Sequence, residues 1–168
     1  QGYTEDEAMG GYDPYSSSKG CAELVSAAYQ KSFFSEHRSR VRVARVRAGN
    51  VIGGGDWGLD RLVPDLVNSF TAGSPALIRR PDAIRPWQFV LDPLYGYLML
   101  AEHLWLGDAG FIGAWNFGPH ADNERRVRDL VALAVETWGN NAAWSIDAAP
   151  SPHEAHYLKL DASKAHSQ

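Results

Sequence analysis

Apolar positions recur at helical spacing in four stretches of the chain. After Asp13-Pro14, the residues Cys21, Leu24, Val25 and Ala28 follow the i, i+3, i+4, i+7 rule. They predict a helix running to about Phe34 with that face packed inward. The start is chemically marked, because an aspartate accepts bonds from unpaired first-turn N–H groups and proline tolerates the first helical position. Leu62, Leu66, Val67 and Phe70 predict a second helix over Arg61 to Thr71, stopped at Gly73. Asp92-Pro93 repeats the start signal, and Leu94, Tyr97, Leu98, Ala101, Leu104 and Trp105 form the strongest amphipathic stripe, ended by Gly107. Val127, Leu130, Val131, Ala134, Val135 and Trp138 mark the fourth helix, closed by Gly139.

Extended segments lie between these helices. The valine-rich run from Val41 to Ala48 reads as a strand, although Arg42, Arg45 and Arg47 disturb its alternation. Ala76 to Arg79, Ala114 to Phe117, Trp144 to Ile146 and His156 to Leu160 read as shorter extended pieces, and the glycine-dense stretch from Gly49 to Asp56 as a loop. Strands alternating with helices define an α/β class. Asp161 to His166 reads as a capped helix at its beginning.

Composition narrows the function classes. With 168 residues, 45% of them hydrophobic, the chain can bury a core of roughly one domain, which excludes intrinsic disorder. Apolar runs such as Leu98-Met99-Leu100-Ala101 fall far short of the ~18 residues needed to cross a bilayer. A net charge of -4 argues against a chain-wide nucleic-acid footprint. The lone Cys21 can form neither an internal disulfide nor a thiolate cluster, which points to a reducing compartment. The start at Gln1-Gly2-Tyr3-Thr4 has neither an initiator methionine nor the regions of a signal peptide, and the end coincides with a helix start. Truncation at both ends is the expectation.

Four groups of residues could carry chemistry. Tyr15 and Lys19 are four apart near a helix start, about one turn, so phenol and ammonium project from the same face. A tyrosine is a poor base at neutral pH, but a neighbouring ammonium favours its phenolate, and such a pair can take a proton from an alcohol while hydride leaves the same carbon. The alternative is an exposed helix-face pair. Gly53-Gly54-Gly55-Asp56-Trp57-Gly58 spells Gly-x-Gly-x-x-Gly between a strand and a helix, with Asp82 near the distance wanted for a ribose-binding acid. Against a dinucleotide role, four residues separate it from the strand end, and Asp56 puts a carboxylate where pyrophosphate would approach the helix. Arg61, Arg79, Arg80 and Arg85 suit a diphosphate, because guanidinium forks bind it bidentately, and Pro86-Trp87 can hold Arg85 in one direction; the alternative is a solvated basic edge. His153-Glu154-Ala155-His156 lacks the i, i+4 spacing of a helical zinc site, so no metal is expected there.

Taken together, Gly11 to Gly20, Arg47 to Trp57, Ile84 to Gln88, Trp115 to Pro119 and His153 to Asp161 closely resemble the CDP-glucose 4,6-dehydratase family, in order along nearly the whole chain. That family lies within the extended short-chain dehydrogenase/reductases. The resemblance implies the C-terminal part of a Rossmann-like parallel-sheet domain over 1–56. Residues 57–168 would be most of a smaller α/β nucleotide-sugar domain, with strand segments free to return to the Rossmann sheet. It implies NAD as cofactor, CDP-glucose as substrate, and a cytoplasmic lyase forming CDP-4-keto-6-deoxyglucose for deoxysugars such as those of lipopolysaccharide O-antigen. Tyr15 matches the base that takes the 4-hydroxyl proton, and Lys19 the residue that binds the nicotinamide ribose and lowers the tyrosine pKa. Asn50, Arg61 and Arg85 match contacts to the CDP-sugar, and His153 and Tyr157 late contacts near the diphosphate.

The Gly53 to Gly58 segment corresponds in that family to a substrate-side loop, the dinucleotide turn lying earlier. The dehydration acid and base also precede the tyrosine helix there. A homodimer through the Tyr15 helix is implied for the complete protein, with no nucleic-acid or membrane partner. Phe89 departs from the family, whose members often have histidine after Arg-Pro-Trp-Gln. Another nucleotide-sugar epimerase or dehydratase, acting on a dTDP- or GDP-sugar, is the nearest alternative. A non-catalytic sugar-nucleotide-binding fragment is the other, since the Val41 to Ala48 strand would lack parallel neighbours without the first Rossmann strands.

Overall fold

A computed structural model describes residues 2–35, 39–120, 123–139, 142–149 and 158–168. The elements, in chain order, are α1 (Pro14–Phe33), β1 (Ala44–Ala48), β2 (Asn50–Ile52), α2 (Leu62–Thr71), β3 (Ala76–Ile78), β4 (Ile84–Arg85), β5 (Trp87–Phe89) and α3 (Leu91–Leu106). A 3-10 turn at Ala109–Phe111 is followed by β6 (Gly113–Phe117), β7 (Arg125–Arg126), α4 (Val127–Trp138), β8 (Trp144–Ile146) and α5 (Ser163–Ser167). The class is α/β, with parallel pairing in β1–β6, β2–β5 and β3–β8, and antiparallel pairing in β4–β7.

The chemistry read at Asp13 and at the glycine stops is present, whereas Asp92, read as a second helix start, lies inside the first turn of α3, which already begins at Leu91. Asp13 caps α1, its carboxylate accepting from the Ser16 amide at 2.9 Å and from the Ser16 hydroxyl at 2.7 Å. These bonds favour the ionised form and hold the Asp13 carboxyl below its usual range. Gly107 and Gly139 follow the last turns of α3 and α4 with φ of 96° and 78°, conformations that a side chain would strain.

The chain folds as two compact units. The first comprises 1–48, 91–118 and 160–168, and the second 49–90 and 119–159. In the first, β1 lies parallel to β6 from Ala44 opposite Gly113 to Ala48 opposite Phe117. The strand expected to lack a parallel neighbour therefore has one, supplied by a segment some 70 residues later in the sequence. Gly96 on α3 has no room for a Cβ against the Phe117 ring, and Tyr97 meets the same ring edge-on at 5.1 Å. His103, Phe111 and Trp115 stack in a column with ring centroids 3.9 and 5.3 Å apart. The Lys164 ammonium sits 3.9 Å over Trp115, and it donates to the Ala114 carbonyl at 2.8 Å. Asn116, fully buried, donates from Nδ2 to the Tyr3 carbonyl at 2.9 Å and to the Asp161 carbonyl at 3.1 Å; its amide donates to Glu5 Oε1 at 2.9 Å.

Two expected inward faces are exposed. On α1, Cys21, Leu24, Val25 and Ala28 face outward, while Glu23 and Gln30 turn toward the arginines of β1. Arg47 donates to Glu23 from Nε at 2.6 Å and from Nη2 at 2.7 Å, and Arg45 donates to Gln30 Oε1 at 3.1 Å. The polar pairing sets the rotation of α1 and accounts for the arginines that disturbed the alternation of this strand. The carboxylate of Glu23 raises the pKa of Arg47 further. On α3, Leu94, Leu98, Ala101 and Trp105 of the expected stripe are exposed, whereas Tyr97 and Leu104 are half-buried and Leu100 is buried. Gly96 and Tyr97 packing on Phe117 fixes that orientation.

The second unit holds the contiguous apolar core. Leu66, Phe70, Ala76, Ile78, Ala83, Val127 and Val131 pack together, with Leu62, Trp87, Ala134, Val135 and Trp144 against them. Here the inward faces of α2 and α4 match their sequence periodicity. Phe70 meets Trp138 at 5.5 Å. The stretch after β1 is not all loop, because Asn50–Ile52 pairs in register with Trp87–Phe89. Gly49 allows the approach: a Cβ there would stand 2.5 Å from the Pro86 carbonyl oxygen, which accepts from the Asn50 amide at 3.0 Å.

Candidate functional site

In the first unit, α1 presents Tyr15 and Lys19 one turn apart on an exposed face, with the ammonium 5.4 Å from the phenol ring centroid. Ser17 and Ser18 lie between them, and their hydroxyls bond locally to the Gly11 and Tyr15 carbonyls at 3.3 and 2.7 Å. Behind this turn Gly20 packs on Gly10, where a Cβ would come within 3.0 Å of the Gly10 nitrogen. The helix is thus anchored at its start by Asp13, at Gly20 by close backbone approach, and at Glu23 by Arg47. Glu23 is a positioning element that the motif reading missed. Its spacing of four from Lys19 was a usable signal, since it puts the carboxylate one turn further along the same helix.

The second unit holds Asn50, Arg61 and Arg85. Pairing of β2 with β5 brings half-buried Asn50 opposite Trp87, two residues beyond Arg85. Arg85 is only 6% exposed and donates from Nη1 to the Ile84 carbonyl at 3.0 Å. Arg61 is mostly exposed and lies 3.4 Å from Asp56 Oδ2. Arg79 pairs with Asp60 at 3.2 Å, and Asp60 itself has a φ of 58°. His153 and Tyr157 lie outside the described residues.

The glycine segment has the geometry of a loop closed on itself. The Gly58 amide donates to Asp56 Oδ1 at 3.1 Å, while Asp56 Oδ2 faces Arg61. That amide is committed to a carboxylate, the reverse of a phosphate cradle, which needs free N–H groups aimed at the anion. Tyr15 and Lys19, by contrast, present a phenol hydroxyl and an ammonium together on an exposed face. Among the described residues no cluster of histidine, cysteine or carboxylate side chains could hold a metal ion. Nor is any described helix long and apolar enough to cross a membrane.

The fold defines the class: an α/β architecture shared with NAD-binding nucleotide-sugar epimerases and dehydratases. The UDP-glucuronic acid 4-epimerase of Bacillus cereus, solved with UDP-glucuronic acid and NAD, superposes with a TM-score of 0.82 over 99% of this chain and 49% of its own, at 19% identity. The dTDP-glucose 4,6-dehydratase of Bacillus anthracis, in complex with NAD, gives 0.76 over 99% of this chain and 49% of its own, at 20% identity. The dTDP-glucose 4,6-dehydratase of Streptomyces venezuelae gives 0.77 over 100% of this chain and 48% of its own, at 21% identity. By sequence, the chain is a relative of the CDP-glucose 4,6-dehydratase of Salmonella typhimurium, with 53% identity over 170 residues, 99% of this chain and 47% of that protein. It therefore spans about half the length of the curated relative it matches. No family model matches the chain.

Proposed function

We propose that the protein to which these residues belong is an NAD-dependent CDP-glucose 4,6-dehydratase. The observation that carries this reading is the Tyr15 and Lys19 pair, open on one face of α1, in a chain 53% identical to such an enzyme. NAD, when bound, supplies a hydride acceptor for C4 of the glucose and gives the hydride back at C6 after water has left across C5 and C6. The Tyr15 phenolate takes the proton of the 4-hydroxyl, so that the C4 carbonyl forms as the C4–H bond breaks. Lys19 stabilises that phenolate and binds the nicotinamide ribose. Asn50 orients the sugar or diphosphate, while Arg61 and Arg85, with His153 and Tyr157, bind the diphosphate. Residues 1–56 would belong to the cofactor domain and 57–168 to the nucleotide-sugar domain, with strand segments of the latter returning to the cofactor-domain sheet, a reading that the pairing of β6 with β1 supports.

The exposed face of α1, with Leu24 and Val25 both 56% exposed beside Tyr29 and Phe33, supports a homodimer through this helix. The setting is cytoplasmic deoxysugar synthesis, including sugars of O-antigen. The test is turnover by the protein carrying this chain, with CDP-glucose and NAD, read as the 4-keto-6-deoxy product. Formation of that product only from a UDP-, dTDP- or GDP-sugar would reassign the substrate. Tyr15→Phe is expected to abolish turnover while leaving CDP-glucose binding in place.

A further inference from the structure

In the second unit, the loop from Gly53 to Arg61 closes through one carboxylate with two partners. Asp56 Oδ1 accepts from the Gly58 amide at 3.1 Å, and Asp56 Oδ2 lies 3.4 Å from Arg61 Nη1. Gly58 makes the second contact possible. A Cβ there would stand 2.6 Å from Arg61 Nε and 3.0 Å from its Cδ, so only glycine lets the arginine side chain lie across the loop. Asp60, the acid next to Arg61 in the chain, pairs with Arg79 at 3.2 Å instead. The carboxylate presented to Arg61 is therefore that of Asp56.

The pair is weak enough to exchange. Its side chains are 63% and 38% exposed, and an ion pair open to water biases the arginine by no more than roughly fivefold. A diphosphate offers the same guanidinium more charge and a bidentate set of oxygens, so it competes effectively with a single carboxylate. Asp56 and an incoming diphosphate also repel each other, which favours exchange over shared binding. Releasing Arg61 leaves the loop turn in place, since the Gly58 amide bonds to the other carboxylate oxygen.

We propose that Asp56 is a built-in competitor for Arg61, which sets the affinity of this arginine for diphosphate ligands. This rests on the nucleotide-sugar reading above, in which Arg61 binds the diphosphate, and adds the residue that opposes it. The experiment is calorimetric titration of the protein carrying this chain with CDP-glucose and, separately, with inorganic pyrophosphate. D56N keeps an acceptor for the Gly58 amide and removes the charge. It is expected to bind both ligands about three- to fivefold tighter, the factor by which occupancy of Arg61 lowers the apparent affinity. G58A changes no charge but drives the Arg61 side chain off the loop, and is expected to tighten binding in the same direction. In an R61Q background, itself about tenfold weaker than the parent, D56N is expected to have no further effect.

CDP-glucose bound equally by the parent, D56N and G58A, or more weakly by D56N, overturns the competition and leaves the proposed function standing. Tightening by D56N that persists in the R61Q background also overturns it, because the carboxylate then acts without Arg61. Pyrophosphate bound with the expected pattern, without CDP-glucose binding, supports the competition and removes the nucleotide-sugar reading. Binding of neither ligand by the parent or by D56N overturns both.

Discussion

The two units of this chain are stabilised in different ways. The second closes around a continuous apolar cluster in which α2, β3 and α4 bury the faces their periodicity predicts. The first is tied by polar and aromatic links, namely Glu23 with Arg47, Asn116 with the Tyr3 and Asp161 carbonyls, and the His103, Phe111, Trp115 and Lys164 column. It leaves Leu94 and Leu98 on α3, and Leu24 and Val25 on α1, open. An amphipathic stripe therefore states that a helix has a face to cover, not what covers it. In the second unit the cover lies within the same 168 residues; in the first, directional bonds turn the helices so that much of the apolar surface stays outside.

The largest effect that tests this contrast is in the apolar cluster. Leu66→Ala, at a side chain only 2% exposed, is expected to cost about 3 kcal/mol in urea unfolding, through lost burial and the cavity left behind. Leu98→Ala, at a side chain 71% exposed, is expected to change stability by less than about 0.5 kcal/mol. Equal costs would erase the distinction between the units. Next in size is Asn116→Ala. It removes the donor shared by the Tyr3 and Asp161 carbonyls at a fully buried position, and is expected to cost about 2 kcal/mol. Amide exchange at β6 and at Leu160 to Ala162 should rise while exchange in α4 stays unchanged.

The smallest effect concerns pH. The folded Asp13 carboxyl is held below its unfolded value, so its contribution to α1 is present above the ordinary carboxylate range, near pH 4, and is lost as pH falls through the lowered value. Protection of the Ser16 amide should fade in that acid window and not between pH 6 and 8. Asp13→Ala should remove the dependence.

Much of the candidate site was legible because its chemistry is local. Tyr15 and Lys19 share a face by helical spacing alone, and Asp13 marks the helix that carries them. The arginines of the β1 strand were legible as an anomaly without a reason, because their partners Glu23 and Gln30 lie 24 and 15 residues earlier on another element. The stretch after Ala48 read as a loop since Asn50 to Ile52 is too short to show alternation, and only pairing with Trp87 to Phe89 makes it a strand.

Sequence alone therefore determined the helices, the Asp13 cap and the glycine stops, the α/β class and the phenol and ammonium pair, all of which depend on contacts within one or two turns. The tertiary structure decided which helix faces are buried, which short segments pair as strands, and that β4 runs antiparallel to β7. Those outcomes join residues 15 to over 100 positions apart, and register and side-chain direction between distant segments are set by packing and hydrogen-bond geometry that no local pattern encodes.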